Sequence, residues 1–141
     1  MSIEIMFNAR YGDFSFSDAA MDEYCKRSPE KENVKFKHWT ISRHDPVMVQ
    51  IVKEMGVKAW GARAKIELLE IPSKYLGYYS IRDYNGAEDV VIDFSAYRIE
   101  TAREILMDQD LTNSEKLRRL SDVFYTDLLA ESNVSNKVHW R

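Results

Sequence analysis

The sequence predicts an α+β domain: a small, mainly antiparallel sheet with a β-hairpin at residues 78–93, packed by helices, and then a C-terminal helical hairpin. Three observations predict it. Asn85-Gly86 separates two strand-like runs, and both central residues of a two-residue hairpin turn must take positive φ. Asp45-Pro46 and Thr112…Glu115 are helix-start signals, each followed by apolar residues at helical spacing. A chain of 141 residues with 45% hydrophobic residues can bury a core without staples, and 5 glycines and 3 prolines exclude collagen-like and low-complexity classes. One domain is expected over 1–141, with an α+β core at 1–94, helices at 95–131 and a loose tail at 132–141.

Residues 3–7 (Ile-Glu-Ile-Met-Phe) suit a first strand, stopped by Tyr11-Gly12-Asp13. Ser17 then caps a helix, with Phe16 and Met21 placed as a hydrophobic staple. Its buried stripe is Ala20, Met21, Tyr24 and Cys25, and Arg27-Ser28-Pro29 ends it. A polar loop from Ser28 to Asn33 leads into Val34–Trp39, where apolar and basic residues alternate as in a half-buried strand. After Asp45-Pro46 the stripe is Met48, Ile51, Val52 and Met55, closed by Gly56.

Residues 65–71 read as a strand ended by Pro72, and 77–84 as the first arm of the hairpin. The turn fixes its register: Arg82 faces Asp89, Asp83 faces Glu88, and Tyr79, Ile81, Val90 and Ile92 share a face. Phe94-Ser95 repeats the staple-and-cap pattern with Ile99 as partner, and Ile99, Ala102, Ile105 and Leu106 form the next buried stripe. In the last helix Leu117, Leu120, Phe124 and Leu128 recur at helical spacing.

Composition limits function more by exclusion than by assignment. Lys+Arg 20 against Asp+Glu 23 gives a net charge of -3, too balanced for a histone-like DNA binder and too mild for a DNA mimic. Cys25 is alone, so it makes no intramolecular disulfide and no Cys-rich zinc site, and it reads as a small core residue rather than a nucleophile. A cytoplasmic, intracellular setting follows. No run approaches the roughly 20 apolar residues of a bilayer span, so a soluble chain with no membrane partner is expected. There is no phosphate-binding glycine loop, no paired-Cys pattern, no HExxH and no GxSxG, and His38, His44 and His139 lack metal-ligand spacing. No metal, cofactor or catalytic residue is assigned.

Three surfaces remain as candidates. Asp83 and Glu88 oppose each other beside Tyr84, an acidic hairpin edge that either splays into water or receives a basic partner. Lys35, Lys37, Trp39 and Arg43 lie in a basic, aromatic segment spanning 26–44 that could hold nucleic acid, against the plainer reading of a solvated strand with a buried tryptophan. Tyr125 and Leu129 widen the apolar arc of the last helix beyond one face, as a homodimer or protein interface would. The reading is a non-enzymatic binding protein. Its alternatives are a weak nucleic-acid binder and a small enzyme with a dispersed acid site at Asp83 and Glu88.

The segments Tyr11-Gly12-Asp13-Phe14-Ser15-Phe16-Ser17, Arg43-His44-Asp45-Pro46, Val52-Lys53-Glu54-Met55-Gly56, Glu70-Ile71-Pro72 and Asp83-Tyr84-Asn85-Gly86-Ala87-Glu88 also form a pattern. Over roughly residues 9–92 it resembles a family of short uncharacterised proteins of phages and large DNA viruses. In that family a Gly-Phe pair stands where Asp13 intervenes here, and an Asp-Gly turn stands where this chain has Asn85-Gly86. The resemblance implies a viral accessory protein and no activity, while the binding reading gives the chain a host or viral protein, or a second copy of itself, as partner.

Overall fold

The computed structural model describes residues 1–29 and 40–138, with side chains of the last helix described through Tyr125. In chain order the elements are β1 (Ser2–Asn8), α1 (Asp18–Arg27), α2 (Pro46–Met55), β2 (Ile66–Pro72), β3 (Tyr79–Tyr84), β4 (Ala87–Ile92), α3 (Phe94–Met107) and α4 (Asn113–Val138). Short 3-10 turns occupy Gly56–Ala59 and Ser73–Tyr78. The class is α+β, but the strands form two separate two-stranded antiparallel sheets, β1–β2 and β3–β4. The strand expected at Val34–Trp39 lies outside the described residues.

The chain divides into two compact units, Met1–Lys74 with Ile81–Val90, and Tyr75–Ser80 with the chain from Val91 onward. In the first, β1 and β2 pair with Ile5 opposite Leu69 and Phe7 opposite Glu67. Met6 and Ile66 face a core that α1 supplies with Met21 and Tyr24, and α2 with Met48, Ile51 and Val52. Both helix starts follow the sequence signals: Ser17 Oγ accepts from the Ala20 N–H at 3.1 Å, and Asp45 Oδ1 accepts from the N–H groups of Val47 and Met48 at 2.9 and 3.2 Å. Cys25 is half-buried on α1.

Asp45 does more than cap. Its Oδ2 accepts from the buried Tyr24 hydroxyl at 2.7 Å, which ties α1 to the start of α2. Asp45→Ala should therefore lose a cap, about 1 kcal/mol, and also leave the Tyr24 hydroxyl without this acceptor, a further ~1–3 kcal/mol. Tyr24→Phe keeps the cap and should lose less. Denaturant midpoints of the two variants check the order, and equal losses would mean that the capping bonds contribute nothing measurable.

The hairpin forms as the turn chemistry dictates, with Asn85 at φ 54° and Gly86 at φ 89°. Arg82 pairs with Asp89 at 3.3 Å, and the Asp93 N–H donates to the Tyr78 carbonyl at 2.8 Å, both in the expected register. β3 begins at Tyr79 rather than Gly77, because Ser73–Tyr78 coils into 3-10 turns first.

In the second unit the core is aromatic. Tyr75 is fully buried and meets Phe94 and Tyr97 edge-on at centroid distances of 5.1 and 4.9 Å, and Tyr97 meets Tyr78 likewise at 5.3 Å. Here the sequence expectation for α3 needs correction. Its N-cap is Asp93, whose Oδ1 accepts from the Ala96 N–H at 2.9 Å, not Ser95, so Phe94 enters the first turn and is buried beside Tyr75. The capping box of α4 forms as predicted, with the Glu115 N–H donating to Thr112 Oγ1 at 3.2 Å. α4 packs on α3 and runs to Val138, so the segment read as a tail from 132 begins as helix.

Candidate functional site

Glu88 is not at an exposed acidic edge. It is 5% exposed, on the inward face of β4, and the Arg43 guanidinium donates to it in a fork, Nη1 to Oε1 at 2.6 Å and Nη2 to Oε2 at 2.9 Å. The Asn8 backbone N–H adds a third bond to Oε1 at 2.8 Å. Arg43 also lies with its guanidinium carbon 3.6 Å from the Phe14 ring centroid, and its own carbonyl accepts from the Met6 N–H at 2.8 Å. Burial of a carboxylate is tolerated here because the cation and the amide saturate it. Asp83, its register neighbour, turns instead to the hairpin tip, where Oδ1 accepts from the Gly86 N–H at 2.7 Å. The like charges separate because each has its own donor. Tyr84 beside them is exposed, as expected.

Asn8 completes this node. Fully buried, it donates through Nδ2 to the carbonyls of Arg10 and Gly86 at 2.9 and 2.7 Å and accepts at Oδ1 from the Lys65 N–H at 2.9 Å. One side chain thus ties the end of β1, the start of β2 and the hairpin turn together. The node is a structural lock, and Arg43 within it is committed to Glu88 rather than open to a phosphate. That removes Arg43 from the predicted nucleic-acid patch, while Lys35, Lys37 and Trp39 lie outside the described residues. It also removes Glu88 from the predicted acidic pair.

A cleft of about 250 Å³ lies beside β1 and α2, lined by residues including Glu4, His44, Val49 and Lys53. Its opposite charges neutralise each other, since Lys53 pairs with Glu4. His44 is close to Ser42, with Nδ1 3.0 Å from Oγ. The volume is below the roughly 300–1,000 Å³ of small-molecule sites. Among the described residues no group of His, Cys, Asp and Glu is placed to hold a metal ion, and no helix is long and apolar enough to cross a membrane.

The surface that stands out is the α3–α4 hairpin. Ile99, Leu106 and Met107 on α3 and Leu117, Phe124 and Tyr125 on α4 are each exposed by 44 to 73%. This corrects the expectation that Ile99 and Leu106 are buried on α3, and it leaves Leu117 and Phe124 of the α4 stripe exposed as well. The buried side of α3 is instead led by Phe94, with Tyr97, Ala102 and Ile105 half-buried, and Leu120 and Val123 are half-buried on α4. The helices use one arc of their apolar surface against each other and leave the adjoining arc bare. Lys116 Nζ donates to the Leu106 carbonyl at 2.9 Å, so the α4 turn bearing Leu117 lies against the end of α3 bearing Leu106. Tyr125 is exposed as the interface expectation requires, and the Leu129 side chain lies outside the described residues.

One polar group near this surface, Glu100, is engaged by Tyr78. Glu100 accepts from the Tyr78 hydroxyl, and that bond, with lesser help from desolvation, pushes the phenol pKa up to about 12. Sequence reading missed Ile99, Leu106 and Met107 as surface residues, and also missed Asn8. The signal for the first three was present, since apolar residues cover more of α3 than one contact can bury. For Asn8 the only hint was a polar residue ending an apolar strand. No family model, curated protein or solved structure matches this chain.

Proposed function

We propose that this chain is a non-enzymatic binding protein that acts through protein contacts made by the α3–α4 hairpin. One observation carries the reading: six large apolar side chains stand exposed on two packed helices. A soluble monomer seldom leaves so much apolar surface bare on one element pair unless a partner covers it. Supporting it, the two carboxylates considered for a dispersed acid site are occupied, Glu88 by Arg43 and Asp83 by the hairpin turn. An intracellular setting accompanies this reading, because the single cysteine offers no internal disulfide. A viral accessory role is the context that the resemblance over residues 9–92 would supply.

The test is the double variant Leu117→Asp with Phe124→Asp in the full chain. Both positions are solvent-facing, so circular dichroism should report unchanged helix content, while affinity for any protein that the unmodified chain retains should fall on the order of 100-fold. A control with Glu70→Lys, on β2, should retain that affinity. Binding that survives the double variant would remove the reading.

A further inference from the structure

The bare face of the α3–α4 hairpin has an extent that selects among occupants. Six side chains of roughly 150–250 Å² each, exposed by 44 to 73%, leave on the order of 700 Å² of apolar surface, near the ~800 Å² that each partner gives to a standard interface. A single short peptide would leave much of that area uncovered. The layout is also regular. Ile99 and Leu106 stand one heptad apart on α3, and Leu117 and Phe124 one heptad apart on α4. Two turns of helix stack each pair along one line, which makes two short apolar ladders on adjoining helices. Half-buried Leu120 lies between the rungs of the second.

We infer that the occupant is a second copy of this chain, the two α3–α4 hairpins packing about a two-fold axis into a four-helix bundle. The inference rests on the proposed function, since it names the partner of the same face. A two-fold axis lays the ladders of one hairpin on those of the other, which is the self-matching surface an isologous dimer needs. The exposed charges on the two helices allow it. Exposed Arg103 adjoins exposed Glu104 on α3, and exposed Arg118 stands one turn before exposed Asp122 on α4. Each helix therefore offers both signs to its copy, where a block of one sign would repel it.

Sedimentation equilibrium of the full chain should give twice the 16.5 kDa chain mass at micromolar concentration. Leu117→Asp with Phe124→Asp should yield a folded species of single-chain mass, with the dimer weakened on the order of 100-fold because each change enters the interface twice. Ile99→Asp with Leu106→Asp, on the other ladder, should do the same, which guards against one pair failing to fold. A chain that stays monomeric at all concentrations overturns the dimer. If α4 substitutions then still abolish binding to a different protein, the proposed binding role stands and only the identity of the occupant falls. A dimer that survives both double variants overturns the inference by placing the contact elsewhere.

Discussion

Gly86→Val is expected to cost at least ~3 kcal/mol, while Gly77→Val should cost less than ~1 kcal/mol. Two effects combine at Gly86. Its φ of 89° is a region that β-branched residues almost never occupy. A Cβ there would also overlap the carbonyl oxygen of Gly12, backbone that no rotamer change can move aside. Close approach is part of the lock, because the Gly12 N–H donates to the Asn85 carbonyl at 3.4 Å and Asn8 Nδ2 to the Gly86 carbonyl at 2.7 Å. At Gly77 an added Cβ meets nothing within 4 Å. Gly86→Asn separates the two causes: asparagine tolerates positive φ, so a loss close to that of valine would assign the effect to the Gly12 contact. Equal midpoint shifts at Gly86 and Gly77 would mean that the turn is not held as described.

Why the hairpin was legible and its buried carboxylate was not follows from the range of the forces involved. Asn85-Gly86 encodes its own φ values, so two residues fix a turn and the turn fixes a register. Alternation then places Glu88 on the face of Val90 and Ile92, and that face proved to be the inward one. What the sequence could not supply was the partner. Arg43 is 45 residues away and Asn8 is 80 away, and neither sits in a pattern that announces an ion pair. The α3 start shows a different limit. Asp93 and Ser95 are both good caps by type, and burial of Phe94 against Tyr75, not local preference, decides between them. On α3 and α4 periodicity located the apolar arc, but an arc wider than one contact does not say which part faces the neighbour. That is where Ile99 and Leu106 changed from expected core to surface, and where Leu117 and Phe124 of the α4 stripe came to stand exposed.

Glu88→Ala is expected to cost about 3–5 kcal/mol, the range for removing one partner of a buried ion pair. The loss has two sources. Arg43, with its side chain 24% exposed, keeps a charge that, among the described residues, the Phe14 ring and the Met6 carbonyl, 3.3 Å from Nη1, still face. The buried Asn8 N–H loses its acceptor. Arg43→Met should cost at least as much, because it strands the carboxylate, which is the more deeply buried partner. Combining Arg43→Met with Glu88→Ala leaves no orphan charge, so the double variant should be less destabilised than the sum of the single ones. The cycle should return a coupling on the order of 1–3 kcal/mol. High salt should leave that coupling largely intact, since the pair is shielded from screening ions, whereas the exposed Arg82–Asp89 pair should lose whatever it contributes. Additive losses, or a coupling abolished by salt, would show that Arg43 and Glu88 do not lock the hairpin to β1, and the assignment of both residues to structure rather than to a binding surface would fall with it.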